Sequence, residues 1–211
     1  MEYYLCGGGA GTQVAEIFSE YIGQNAKILY IPLAMNLNKS NDCKEWFSKE
    51  VEKYNVNFYM VESNKELNTI NLNSYSHVFI GGGNTYKLLK ELKEINFFKK
   101  LKDFNGKIWG GSAGAIIFGK DINSCKIEDE NNVGLTNTKG MNIVEDYSLI
   151  CHLNKENFEK NTEYLKRYSL KYKTIYLSED DVIYIKNNKI KIMGDKPYII
   201  FEHGKYDIYN E

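Results

Sequence analysis

An α/β fold is what this 211-residue sequence predicts: a doubly wound, mostly parallel sheet flanked by helices, with a C-terminal antiparallel extension. Three observations point there. Short apolar runs alternate with helix-like stretches through the first two-thirds of the chain, the pattern of parallel strands joined by crossover helices. Three of the apolar runs end in glycine-rich strings, Gly7–Gly11, Gly81–Gly83 and Gly110-Gly111. The last third instead carries closely spaced short runs and the hairpin turn Asn187-Asn188.

In chain order, Tyr3 to Cys6 reads as a strand and Gln13 to Tyr21 as a helix. Lys27 to Ile31 is a strand stopped at Pro32. Asp42 to Tyr54 is a helix, with Trp46, Phe47, Val51 and Tyr54 at helical spacing. Asn57 to Val61 and His77 to Ile80 are strands, Thr85 to Leu92 and Phe97 to Leu101 helices, and Gly106 to Trp109 a strand end. Ile150-Cys151-His152 is a strand end and Phe158 to Tyr168 a helix. Thr174 to Leu177, Asp181 to Lys186, Lys189 to Met193 and Tyr198 to Glu202 are short strands, expected to extend the same sheet within one domain over residues 1–211.

Composition narrows the function. Apolar residues make up 43%, enough for a core at this length. A net charge of -1 and the absence of a basic stripe argue against a nucleic-acid partner. No apolar run approaches the roughly 18 residues a membrane span needs. The start Met1-Glu2-Tyr3-Tyr4-Leu5 reads as a strand rather than a leader, so a cytoplasmic protein is expected. The four cysteines, Cys6, Cys43, Cys125 and Cys151, form no C-x-x-C pair, and neither a metal nor an organic cofactor is expected. Cys151 does adjoin His152, but neighbours on a strand face opposite ways. A dinucleotide reading of Gly7-x-Gly9-x-x-Thr12 lacks the third glycine and the acid at the end of the second strand. Monomer and homodimer are both open.

Chemistry concentrates at Gly110-Gly111-Ser112-Ala113-Gly114, which has the G-x-S-x-G form of a nucleophile elbow. A serine on such a strand-to-helix turn presents its hydroxyl outward, and the amide after it faces a developing oxyanion with a helix N-terminus behind. A serine nucleophile needs a base and an orienting acid. His152 ends a strand after the elbow; His77 begins its strand, at the far end from any site, and His203 lies in a late turn. The acid comes from Glu128-Asp129-Glu130 or from Glu179-Asp180-Asp181, with Glu179 preferred for following an apolar strand. The three glycine-rich ends would share one site, because α/β sheets bind ligands at strand C-termini.

With these pieces assembled, the chain resembles the dipeptidase E (aspartyl dipeptidase) family of serine peptidases, which includes cyanophycinase. Gly81-Gly82-Gly83-Asn84-Thr85 and Gly110-Gly111-Ser112-Ala113-Gly114-Ala115 carry the resemblance, in order and separation. It implies a fold similar to class I glutamine amidotransferases, with serine in place of their cysteine. It also implies a Ser-His-Glu triad of Ser112, His152 and Glu179, with Asp129 as the second-choice acid, and an oxyanion hole from the amides of Gly83 and Ala113. Gly82, Asn84 and Lys160 are the implied substrate contacts, and the implied substrate is a small peptide cleaved at a peptide or isopeptide bond. An esterase or amidase, or a metabolite-binding protein with a degenerate triad, are the alternatives. Three departures stand out. Cys151 replaces the family's proline before the histidine. Ser178-Glu179-Asp180 replaces its P-E-G. The stretch Asn157 to Thr162 lacks the arginine that holds an acidic substrate side chain, leaving Lys160 as a poorer, point-charge substitute.

Overall fold

The computed structural model describes residues 1–11, 14–36 and 39–210. A seven-stranded sheet forms its centre, in the order β3-β2-β4-β5-β1-β8-β9. Strands β1 (Glu2–Cys6), β2 (Lys27–Ile31), β3 (Asn57–Met60), β4 (His77–Ile80) and β5 (Lys107–Gly111) are parallel. The hairpin of β8 (Val182–Lys186) and β9 (Lys189–Met193) adds antiparallel to the β1 side.

Period-two alternation sorts the side chains between two helical layers. Tyr3, Leu5, Leu29, Ile31 and Ile108 pack on one face, with α4 (Thr85–Glu94) and α5 (Phe97–Lys102). Tyr4, Cys6, Ile28, Tyr30 and Trp109 pack on the other, with α1 (Ala15–Ile22) and α2 (Ser40–Val51). On that second face Trp109 meets Phe18 edge-on at 4.9 Å, and its indole N–H donates to the Gly9 carbonyl at 3.2 Å. The strand that leads to the elbow is thereby tied to the first glycine-rich loop.

Differences from the sequence reading are informative. The C-terminal strands do not all join the central sheet. Strands β6 (Ser148–Ile150), β7 (Thr174–Tyr176), β10 (Tyr198–Glu202) and β11 (Lys205–Tyr209) form a second sheet, ordered β11-β10-β7-β6. Alternation again explains it. Leu149 and Ile175 point into the main core, whereas Ile150 and Tyr176 face α7 (Lys155–Tyr168) with Leu165. Helix α7 starts earlier than its apolar residues suggest, because the Asn154 side chain caps it by accepting from the Asn157 N–H. A polar helix α3 (Asn64–Thr69), capped by Ser63, has no apolar period to announce it. The expected Asp42–Tyr54 helix is α2 followed by a 3₁₀ turn over Glu52–Tyr54. Gln13, where the first helix was expected to begin, and Thr12 of the weak dinucleotide string lie outside the described residues. Among the described residues no helix is long and apolar enough to cross a membrane.

Candidate active site

Strand order assembles the site. Strand β5 lies between β4 and β1, so its C-terminal elbow is flanked by Gly81–Gly83 on one side and Gly7–Gly9 on the other. Strand β8 enters antiparallel beside β1, which brings the turn before it, residues 178–181, to the same edge.

Ser112 has φ 50° and ψ -112°, a conformation that costs a non-glycine residue about 1–3 kcal/mol. Its surroundings impose it. The Ser112 N–H donates to the Cys6 carbonyl at 3.0 Å, and its carbonyl accepts from Ala115 and Ile116 at 2.8 and 3.0 Å. The turn needs bare backbone around it: a Cβ on Gly110 would lie 2.3 Å from the Gly114 carbonyl oxygen, and one on Gly114 would lie 2.2 Å from that of Ile80. The helix that follows, α6 (Ala113–Ile116), is a single turn. It therefore contributes positioned amides rather than a long helix dipole, which is less than the sequence reading expected.

The Ser112 hydroxyl donates to His152 Nε2 at 2.7 Å, and His152 Nδ1–H donates to Glu179 Oε1 at 2.7 Å. This assigns the neutral imidazole proton to Nδ1, the tautomer a neighbouring carboxylate selects. His152 has φ +63°, past the end of β6, so the strand rule that separates it from Cys151 does not operate here. Its backbone is fixed on both sides. His152 N–H donates to Gly7 O at 3.2 Å, and its carbonyl accepts from Asn157 Nδ2 at 2.9 Å and Asn154 Nδ2 at 3.3 Å. Cys151 is buried, its Sγ 3.7 Å from the Ser112 carbonyl, and burial holds its thiol well above the usual range. Cys6, also buried, is pushed up to about 12. Neither thiol is a nucleophile in that state.

The remaining residues singled out from sequence divide. A Cβ on Gly82 would sit 3.2 Å from Ser112 Cβ, so that backbone runs directly along the serine. Among the described residues the amides of Gly83 and Ala113 donate to no protein acceptor. Asn84 is engaged as the α4 cap: Oδ1 accepts from Lys87 N–H at 2.9 Å and Nδ2 donates to the Glu130 carbonyl at 2.8 Å. Asp129 accepts from the Thr85 N–H at 2.8 Å and thus serves the same helix start, while His152 Nδ1 is taken by Glu179. Lys160 pairs with Glu128 at 3.2 Å. Sequence reasoning missed Asn154 and Asn157, named Ser178 only as a departure from the family's string, and named Asp181 only within a candidate acid cluster. Asn154 carried a readable signal, an asparagine one residue ahead of a helix; the others sit in polar runs with none. Next to Glu179 the surface opens into a groove of about 600 Å³, with apolar walls that include Phe158, Ile199 and Ile208 and with Lys155 and Lys196 at its margin.

Residues 5–193 match the model of peptidase family S51. The chain belongs to this family. Membership in S51 makes the protein a serine peptidase of the dipeptidase E type. An uncharacterized peptidase of Listeria monocytogenes is 28% identical over 189 residues, covering 84% of this chain and 91% of that protein. A second, from Listeria innocua, is 26% identical over 190 residues, covering 84% and 90%. In fold, this S51 chain is similar to a crystal structure from L. monocytogenes EGD-e named as a candidate peptidase E. The TM-score is 0.75 at 24% identity, over 92% of this chain and 98% of that one. It is also similar to a peptidase from an acI-B1 actinobacterium, TM-score 0.75 at 16% identity, over 99% and 93%.

Proposed function

We propose that this S51 peptidase hydrolyses a peptide or isopeptide bond in a small peptide through Ser112, His152 and Glu179. Ser112 Oγ attacks the scissile carbonyl carbon while His152 Nε2 takes its proton. Glu179 holds the imidazole and stabilises its charged form. The amides of Gly83 and Ala113 receive the oxyanion, one from the neighbouring strand end and one directly after the nucleophile. Collapse of the tetrahedral intermediate breaks the C–N bond as His152 returns the proton to the leaving amine. Water, deprotonated by His152, then attacks the acyl-serine ester, whose C–O bond breaks as His152 returns that proton to Ser112 Oγ and the acid product leaves. Four free, buried cysteines support a cytoplasmic location.

The observation that carries this reading is the continuous relay of two 2.7 Å hydrogen bonds from a strained elbow serine to an acid. The test is labelling of the folded protein with a fluorophosphonate, read by intact mass, followed by a panel of short peptides and esters. Stoichiometric labelling that is lost in Ser112→Ala and His152→Ala, with peptide turnover, is the expected result. Labelling with turnover of esters alone would replace peptide by ester as the substrate. No labelling by either a large or a small probe would overturn the triad.

A further inference from the structure

We propose that Asp181 is a positioning residue for Glu179, its buried carboxylate clasping Ser178 so that the turn between them aims Glu179 at His152. The proposal rests on the triad reading above.

Glu179 has a difficult task. Its side chain is 60% exposed, yet it must hold one oxygen 2.7 Å from His152 Nδ1. Fixing an exposed glutamate costs rotamer entropy, so the backbone under it has to be rigid. No proline stiffens Ser178-Glu179-Asp180-Asp181. A side-chain clasp does so instead. Asp181 Oδ2 accepts from the Ser178 hydroxyl at 2.8 Å and from the Ser178 N–H at 3.2 Å. Ser178 Oγ in turn accepts from the Asp180 N–H at 3.2 Å, and Asp181 N–H donates to the Ser178 carbonyl at 3.3 Å. Four hydrogen bonds thus close a four-residue turn around Glu179.

The clasp is anchored to the same backbone that holds the histidine. Gly7 N–H donates to Asp181 O at 2.9 Å, while Gly7 O accepts from His152 N–H. Leu153 N–H donates to Leu177 O at 2.8 Å. A Cβ on Gly7 would lie 1.9 Å from Ser178 O, so the turn and the loop after β1 are in direct backbone contact. Glu179 and His152 therefore share one frame.

Asp181 is an expensive way to build a turn. It is fully buried, its Oδ1 has no partner within strict hydrogen-bond geometry, and the Lys196 backbone N–H gives the carboxylate only partial compensation. Burying a carboxylate with an oxygen unmet costs stability. The turn's geometry, and through it the aim of Glu179, is what that cost secures.

A double-mutant cycle on fluorophosphonate labelling separates this role from a purely structural one. The bimolecular labelling rate is measured for wild type, Asp181→Ala, Glu179→Gln and the pair, with thermal midpoints alongside. Misplacing a triad member by about 1 Å costs on the order of 10²-fold, so Asp181→Ala is expected to slow labelling by that order. In the Glu179→Gln background the same change is expected to cost less than about threefold, because the group it positions is already gone. Asp181→Asn, which keeps one carbonyl acceptor for Ser178, is expected to restore most of the rate. Equal fold-losses in both backgrounds, or wild-type labelling in Asp181→Ala, would overturn the clasp. If Asp181→Ala does not fold, Ser178→Ala takes its place in the cycle with the same expectations. Wild-type protein without Ser112-dependent labelling overturns the triad itself, an outcome distinct from a failed cycle.

Discussion

Lys160 and Glu128 form an ion pair, Nζ to Oε2 at 3.2 Å, and the other Glu128 oxygen accepts from the buried Asn161 Nδ2 at 2.6 Å. The cation that sequence reasoning offered as a holder of acidic substrate groups is therefore already committed to a carboxylate. A partly exposed pair of this kind is worth at most about 1 kcal/mol, roughly fivefold in an equilibrium. Lys160→Ala is expected to change the ratio of kcat/KM for aspartyl over alanyl dipeptides by no more than about threefold. Glu128→Gln frees the cation and is expected to raise that ratio by up to about fivefold. A Lys160→Ala variant that loses aspartyl substrates selectively would show that the lysine leaves Glu128 for the substrate.

Strain at the elbow leads to a second expectation. Ser112 is held at φ 50° by contacts on both sides. Ser112→Ala keeps that strain and removes only the hydroxyl. Turnover should fall by about 10⁴–10⁶-fold while the thermal midpoint moves little. Ser112→Gly also removes the nucleophile but suits a positive φ, so it is expected to be about 1 kcal/mol more stable than Ser112→Ala. Urea unfolding of the two variants measures the difference, and equal stabilities would mean that the elbow stores no strain.

Gly83 is the more exposed half of the proposed oxyanion hole. It has φ +129°, and a Cβ there would lie 2.8 Å from the Ala34 carbonyl and 2.9 Å from Met35 Sδ. That loop cannot easily give way, because Lys87 Nζ donates to the Leu33 and Met35 carbonyls, each at 2.6 Å. Gly83→Ala must therefore rotate its own amide away. Loss of one oxyanion donor typically costs 10²–10³-fold in kcat, and kcat should fall by about that much with KM nearly unchanged. A rise in KM at constant kcat would instead assign Gly83 to substrate binding.

These expectations draw unequally on the sequence. The parallel sheet and the elbow were legible because local rules create them: short continuous apolar runs buried on both faces in β1, β2 and β5, and glycines where backbone meets backbone. His152 was legible as a strand end, although its positive φ was not. The second sheet was not legible. Strands β7 and β10 look like any short apolar run, and nothing local says that they pair with each other instead of extending β9. Asp181 read as the first residue of a strand and as a member of one candidate acid cluster, and Glu128 as a member of the other. Their roles depend on partners that only folding supplies, Ser178 in one case and Lys160 with Asn161 in the other.

His77 provides a test of the core that is independent of the site. It is 6% exposed at the start of β4, and burial pushes its pKa down to about 4, with the nearby Lys107 charge adding to the effect. Nε2–H donates to the Tyr21 carbonyl at 2.8 Å, and Nδ1 accepts from the Ser76 hydroxyl at 2.8 Å, so the neutral ring is fully bonded. Between about pH 6.5 and 4 the unfolded chain binds a proton at this histidine that the folded protein refuses. Its contribution to stability is therefore fully present above pH 6.5 and is lost as pH falls through that window. With residual solvent screening the loss amounts to no more than about 2 kcal/mol. Asp181, whose pKa burial raises, shifts stability in the opposite sense, so wild type alone is a mixed readout. His77→Gln keeps a donor for Tyr21 O and removes the titration. Urea midpoints at pH 7, 5.5 and 4.5 should fall more steeply for wild type than for His77→Gln, with the two curves converging at the acid end. Parallel curves would mean that His77 takes up its proton in the folded state and that the strand tolerates the charge.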